Sequence, residues 1–374
     1  MAGGLFQGGR NPRDFVWDDP TLIDGSSTVN QAILTAKVNY SMDMVSEITM
    51  EVLDHANELA SSNYFSIGRK VWYRGYTSRD LTWVSQNSGF VEGERIWQLF
   101  EIASVTMGPG PAVNPVWNLK LRPSACQQMK RDKDPATVAG NGHNLIINAA
   151  HKYGLECMAQ ETEDFVKWTA KGEDEVKESL WDIMKKTASM DRSKSEHAQF
   201  RLFEADGILF FGTQRWLLGR WGTTYDNPEL GLIDPEGLIA GGGNDAYNYV
   251  ELNWPPRRSG GGIPDPFQLM ALPTCSRSDN NPIATEGSVQ IDRFNGRSLR
   301  PGMTIFLSFD DFDRGDKRHY FQGMYLISSV SFEHIGNAPV SINFRSPERL
   351  AKDIKMLEVG AHGGKQFLGS YAEI

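Results

Sequence analysis

The sequence predicts an α+β protein, mainly β, with two small β modules on either side of a helix-containing α/β segment. Three observations carry this reading. Apolar and polar residues alternate with period two through much of residues 38–121, as in half-buried strands. The period becomes helical at 142–153 and again at about 173–189. Period two then returns between Gly287 and Phe344. At about 150 residues per domain, 374 residues make two or three domains.

Residues 1–30 read as an N-terminal arm. Gly3, Gly4, Gly8, Gly9, Pro12 and Pro20 break any period, while Phe6, Phe15 and Trp17 point to an arm that docks on something, a neighbouring subunit being one candidate. From Val38 to Leu53 the run reads as a strand, with Ile48, Met50 and Val52 alternating with Glu47, Thr49 and Glu51. Further strand-like runs follow at Tyr64–Ile67, Val71–Tyr73, Leu81–Val84, Ile96–Met107 and Val116–Leu121, with Gly68, Gly75, Gly89 and Gly93 at turns. Short strands at this spacing form a small antiparallel barrel or sandwich over residues 31–125.

Residues 126–225 make the α/β middle segment. Leu145, Ile146, Ala149, Ala150 and Tyr153 share one helical face, with Asn141 as N-cap and Gly154 just past the C-terminus. A second helix is expected from Glu173 to Ser189, acidic at its start and basic near its end, as the helix dipole favours. A hairpin follows, Phe200–Phe203 and Ile208–Phe211, around the Asp206-Gly207 turn signal. Residues 226–350 hold a Gly-rich insertion and the second β module. The chain reads as irregular from Trp221 to Pro282, with triple glycines at 241–243 and 260–262. Strands are expected at Val289–Ile291, Met303–Phe309, Tyr320–Phe332 and Val340–Phe344, with a turn at Arg300-Pro301-Gly302 and a charged loop at Asp310–Lys317. Residues 351–374 are a C-terminal tail with a short amphipathic piece, three glycines and the aromatics Phe367 and Tyr371.

Composition excludes several classes. No apolar run reaches the ~18 residues of a membrane span, so no stable membrane insertion is expected. The Gly-rich opening has no apolar core of a secretory signal. Cys126, Cys157 and Cys275 lie far apart, against a disulfide framework or a Cys-based zinc site. A net charge of −9 argues against a protein whose main work is gripping phosphates.

No motif singles out a catalytic, cofactor-binding or metal-ligating residue. The histidines at 55, 143, 151, 197, 319, 334 and 362 are scattered, and His143 and His151 are too far apart for a helical metal pair, so all read as surface or helix-flank residues. Asp310, Asp311, Asp313 and Asp316 miss the calcium-loop spacing, because Gly315 falls at the third ligand position counted from Asp311. Arg314-Gly315-Asp316 and the sequon at Asn39 read as chance. Gly364-Lys365 lacks the glycine and hydroxyl of a phosphate loop, having Val359 and Gln366 there. Acidic pairs abound without one standing out as a glycosidase pair. The tryptophans, including Trp72, Trp97, Trp117, Trp181 and Trp216, read as core of the β modules, with a sugar-binding stripe as the alternative.

The order of features resembles the central hub proteins of phage tail baseplates, a family that includes the late control gene D proteins, the hubs of contractile tails and pyocin-like particles, and the N-terminal half of type VI secretion spike proteins. Three stretches carry the likeness. The first is the strand from Val45 to Asp54, with Phe65-Ser66-Ile67-Gly68 and Val71-Trp72-Tyr73-Arg74-Gly75. The second is the helix from Ile146 to Gly154-Leu155, with Glu178–Met184 and the Glu204-Ala205-Asp206-Gly207-Ile208-Leu209 hairpin. The third is Leu299-Arg300-Pro301-Gly302-Met303 with Phe321–Ser331 and Phe332-Glu333-His334. The resemblance implies two tube-like antiparallel β-barrels per subunit and a homotrimer, whose six barrels match a hexameric tail-tube ring and whose other side meets a trimeric spike. It implies a structural, non-enzymatic protein of the virion tail baseplate, assembled in the host bacterial cytoplasm without a cofactor. Its expected partners are the tail tube or distal tail protein, the central spike, and the baseplate wedge and tape measure proteins. DNA is expected only in transit through the channel. The alternatives are the hub of a phage-derived contractile injection particle, a tail-associated peptidoglycan or polysaccharide hydrolase, and a carbohydrate-binding module.

Overall fold

The period-two run at 38–53 folds as two strands. In the computed structural model, which describes residues 14–18, 26–76, 95–111, 114–133, 138–162, 165–168, 178–190, 200–217, 249–256, 267–278, 281–309 and 321–346, strand β2 (Ile33–Ser41) turns at residues 42–46 into β3 (Glu47–Leu53). The two pair antiparallel, Val38 opposite Ile48. Alternation does place Ile48, Met50 and Val52 inside, each 0% exposed, as the spacing predicts.

β3 pairs with β6 (Pro115–Pro123), β6 with the 15-residue β5 (Arg95–Pro109), and β5 with β4 (Lys70–Tyr76). The Tyr64–Ile67 run is not a strand. It follows the one-turn helix α2 (Glu58–Ser61) as a turn, because Asn63 and Gly68 both take positive φ. Asp54 anchors this corner, its buried carboxylate accepting the N–H groups of Leu59 and Ala60 at 2.9 and 3.0 Å.

Two of the three aromatics of the expected arm, Phe15 and Trp17, dock within the same chain, and Phe6 lies outside the described residues. Phe15–Trp17 forms β1, a short edge strand paired with β4, and Phe15 and Trp17 are both 0% exposed. Asn30, in helix α1 (Ser26–Ala32), holds β1 from its other side: it accepts the Phe15 N–H at 3.2 Å and donates to the Phe15 carbonyl at 2.6 Å.

The α/β segment packs helices α3 (Ser124–Arg131), α4 (Gly142–Lys152) and α5 (Leu180–Met190) against the hairpin β10 (Arg201–Ala205) and β11 (Ile208–Gly212), with β8 (Glu156–Ala159) parallel to β11. β7 (Val138–Asn141) and β9 (Phe165–Trp168) form a separate two-stranded ladder. α4 matches its expected span, although the Asn141 side chain makes no capping bond. α5 starts later than the acidic run predicts. Ser179 is its cap, accepting the Asp182 N–H at 3.1 Å and donating to the Asp182 carboxylate at 2.6 Å.

The segment that reads as irregular contains paired strands. β12 (Tyr249–Trp254) runs parallel to β15 (Thr304–Phe309), and β13 (Thr274–Ser278) pairs with β14 (Asn281–Ile291). Glycines and prolines around these strands hide them from a period search. β14 continues to β17 (Val340–Arg345) and then β16 (Gly323–Glu333). Helices α6 (Gln214–Leu217) and α7 (Arg293–Gly296) are single turns.

β16 divides one edge between two partners. Gly323–Leu326 pairs with β15, and Ser329–Glu333 pairs with β2 of the first half. A register shift between Ile327 and Ser329 marks the change. The class is α+β and mainly β, as the periods predict. The finer expectation is two small barrels, and barrel closure is not detected among the described residues. Among the described residues the pairing path runs open from β1 to β13, no ladder closes either half, and β2–β16 joins the halves into one 12-stranded sheet over a shared core. Burying the edges of β2 and β16 against each other satisfies backbone groups that two open modules would leave exposed.

At Gly287 the backbones of β13 and β14 approach so closely that a Cβ would fall on the Thr274 carbonyl oxygen and the Phe344 ring. Gly287→Ala is therefore expected to lower stability by about 1–3 kcal/mol, read from the denaturant midpoint. An unchanged midpoint would mean that β13 is not seated on β14 as described.

Among the described residues no helix is long and apolar enough to cross a membrane. Leu81–Val84, the triple glycines, Asp310–Lys317, the tail from 351, and His197, His319 and His362 lie outside the described residues.

Candidate functional site

The β10–β11 hairpin is buried on both faces. Phe203, Ala205, Ile208 and Phe210 point into the core of the large sheet, while Leu202, Leu209 and Phe211 point into the helical core of the α/β segment. Strand alternation therefore makes this hairpin a wall between two cores, and every residue of β11 is buried. Its turn uses left-handed backbone at both central residues, Asp206 at φ 54° and Gly207 at φ 78°. This is the primed turn that suits a right-twisted hairpin, and glycine takes it without strain.

Polar groups gather where this wall meets both β halves. Asp206 and Arg300 form an ion pair at 2.9 Å with both side chains 0% exposed. The Arg300 Nε–H donates to Asp206, its Nη1 donates to the carbonyls of Arg297 and Leu299 at 2.6 and 2.8 Å, and its Nη2 donates to the Tyr76 carbonyl. The guanidinium lies 4.3 Å from the centroid of the Tyr40 ring. Gln98 donates to the same Asp206 oxygen at 3.0 Å. Arg300 thus ties β2 and β4, the α/β hairpin and the loop before β15. Burial drives the Tyr40 phenol well above its ordinary range, partly offset by the Arg300 charge.

Glu204 sits two residues before Asp206, on the face shared with Leu202. Burial pushes its carboxyl up to about 7, against the opposing pull of hydrogen bonds from Ser46 and the Gly207 N–H. A second buried group pins β1. The Tyr73 hydroxyl lies 3.0 Å from Nδ1 of His334, whose Nε2 lies 3.0 Å from Asp14 Oδ2. A neutral imidazole donating from Nε2 to Asp14 and accepting from Tyr73 gives each atom a partner. Burial raises the Tyr73 phenol. The order Asp–His–hydroxyl resembles a nucleophile triad, but Tyr73 is 0% exposed, so its hydroxyl meets no substrate and the trio is a staple.

His334 corrects the reading of the histidines as surface or helix-flank residues, being 8% exposed. His143 does flank α4, and its Nδ1 accepts the Thr162 N–H at 3.0 Å. Sequence reasoning placed Asp206 and Arg300 only in turns and assigned no site role to Glu204 or His334. The one signal was a charged residue inside or next to an apolar run, as in Phe203-Glu204-Ala205, which a surface turn also produces. A separate polar depression of about 290 Å³ lies on the sheet face by Ser41, Glu286 and Asn343. There Asp43 receives Arg201 at 3.2 Å and Arg345 at 3.5 Å.

No protein-family model and no curated protein matches the chain. Solved structures do. A tail protein from Neisseria meningitidis aligns at TM-score 0.43 and 9% identity, over 83% of this chain and 91% of that one. An Escherichia coli component of the type VI secretion system, described as structurally similar to bacteriophage T4 tail proteins, aligns at TM-score 0.45 and 10% identity, over 85% and 76%. The 43 kDa tail protein of a Shewanella oneidensis prophage aligns at TM-score 0.44 and 9% identity, over 84% and 92%.

Proposed function

We propose that this chain is a structural tail baseplate hub: a non-enzymatic homotrimeric adaptor that joins a hexameric tail tube, or a distal tail protein, to a trimeric central spike. The observation that carries the reading is the junction at β2–β16. The three stretches that resemble baseplate hubs meet around it, with Ser46 bonding Glu204, Asp206 pairing with Arg300 and Tyr73 facing His334. The first supplies β3 and β4, the second the doubly buried β10–β11 wall, and the third Arg300 and β16. In this reading the arm, the two β modules of 31–125 and 226–350, the α/β segment and the tail are the units of the subunit. The modules meet the tube, and the tail holds neighbours such as wedge and tape measure proteins.

A part that must bear force between two rings needs its units locked together, and a buried ion pair with strand pairing does this. Exposed apolar side chains such as Met44, Ile67, Met107, Met270 and Leu272, each more than half exposed, are surface for subunit contacts to cover. Three copies at −9 each would sum to −27. Where such charge lines a channel it repels DNA phosphates and lets a genome slide.

Native mass spectrometry of the purified chain, alone and with its tube and spike partners, tests the reading. A trimer, or assembly on those partners, is expected. A stable monomer that clears peptidoglycan would replace the hub with the hydrolase. A cryo-EM map with a basic lumen would sink the conduit argument.

A further inference from the structure

Ser46, in the turn between β2 and β3, is 1% exposed and meets Glu204 twice. Its Oγ lies 2.8 Å from the Glu204 carbonyl oxygen and 2.7 Å from Glu204 Oε2. A serine hydroxyl has one hydrogen, and both Glu204 atoms are acceptors when the carboxyl is ionised. The two contacts are satisfied together only when Glu204 carries a proton. Its O–H then donates to Ser46 Oγ, and Ser46 donates to the carbonyl. The other oxygen, Oε1, accepts the Gly207 N–H at 2.9 Å. Among the described residues no cation touches the carboxyl, and Glu204 is 2% exposed.

We infer that Glu204 is held as the neutral acid in the folded chain, and that its proton latches the α/β segment to the β framework, so that losing it loosens this joint. Ionisation would strip the Ser46 contact of its second hydrogen and place an uncompensated charge in an apolar wall. The groups facing Glu204 come from every neighbouring element. Ser46 comes from the β2–β3 turn, Tyr40 from β2, Cys126 from α3, Asp206 and the Gly207 N–H from its own hairpin, and Arg300 from the loop before β15. Arg300 is already engaged by Asp206, whose charge disfavours a second carboxylate nearby.

The sign of the pH dependence follows. Burial raises the folded carboxyl from 4.5 to about 7, so the folded chain keeps a proton that the opened chain releases between those values. The latch is strongest at or below about pH 4.5, weakens as pH rises to about 7, and changes little above.

Two measurements on the full chain test this. Infrared spectra of chain labelled with ¹³C-glutamate should show a protonated, dehydrated carboxyl at pH 6 that vanishes by pH 9 and is missing in Glu204→Gln. Hydrogen exchange at residues 201–212, corrected for intrinsic chemistry, should show the opening constant rising by at least about tenfold from pH 5 to pH 8, and staying flat in Glu204→Gln. A wild-type spectrum without the protonated carboxyl at pH 6 overturns the inference. So does a Gln variant whose opening keeps the wild-type pH slope. The infrared arm uses the native chain and decides the matter even if the variant does not fold. None of these readouts depends on partners or oligomeric state, so the latch and the hub reading fail separately.

Discussion

Arg300→Met is expected to lower the unfolding free energy by about 3–5 kcal/mol, the cost of breaking a buried pair from one side. The wild-type guanidinium meets four acceptors, the Asp206 carboxylate and the carbonyls of Arg297, Leu299 and Tyr76. Methionine fills similar space and donates to none of them. The Asp206 carboxyl, 0% exposed, then loses its contact with Arg300, while three carbonyls lose a donor. Guanidinium titration measures the loss as a lower midpoint at unchanged slope. The double variant Arg300→Met/Asp206→Asn replaces both members of the pair and should recover part of the loss, since this costs less than removing one. Arg300→Lys should fall between, because an ammonium keeps the charge and loses the fork that reaches several oxygens. A loss below about 1 kcal/mol in Arg300→Met would show that this residue does not hold the three parts together.

Trp17→Ala should cost about 3–5 kcal/mol, as large-to-small changes of aromatic core residues do. Trp17 is 0% exposed, donates from Nε1 to the Tyr64 carbonyl at 2.9 Å, and meets the Tyr64 ring edge-on at 5.7 Å. Alanine leaves a cavity and takes the Nε1 donor away from the Tyr64 carbonyl. β1 has only three residues, and besides Trp17 it is held by its pairing with β4, by Asn30 and by the Asp14–His334–Tyr73 staple. Val16, on the outward face of the same strand, is the control, and Val16→Ala should cost far less. Because Trp17 packs on its own chain, the loss should be the same at every protein concentration. A cost that vanished on dilution would instead place this tryptophan on a neighbouring subunit.

Much of the local structure was legible in the residues. Alternation at Ile48, Met50 and Val52 identified β3 and its buried face. The helical spacing of Leu145, Ile146, Ala149 and Ala150 identified α4, whose face is buried at the same residues. Asp206-Gly207 identified the hairpin turn, because few dipeptides accept two left-handed residues. Other elements were hidden for physical reasons. The β2–β3 turn carries Asp43 and Ser46, but Met42, Met44 and Val45 continue the apolar run through it and no glycine or proline marks it. β12 and β13 lie among glycines and prolines that erase the period around them. Ser179 starts α5 by a local capping bond that an acidic run nearby outweighed to the eye.

The site was less legible than the fold. Glu204, Asp206 and Arg300 look like surface charges, since a charged residue beside a turn is ordinarily solvated. His334 and Asp14, 320 residues apart, carry no sign in the sequence that they meet.

The class, the main strand and helix periods, the central hairpin and the order of the β and α/β parts are written in the local run of residues. These depend on burial of one face and on backbone preferences, which act over a few neighbouring residues. Only the tertiary structure decided that β2 pairs with β16, that β1 belongs to its own sheet, and that one arginine and two carboxyls are sealed at the seam. Those outcomes depend on which distant surfaces exclude water from each other, and the energy of a charge or a strand edge is set by that exclusion rather than by the residues beside it in the chain.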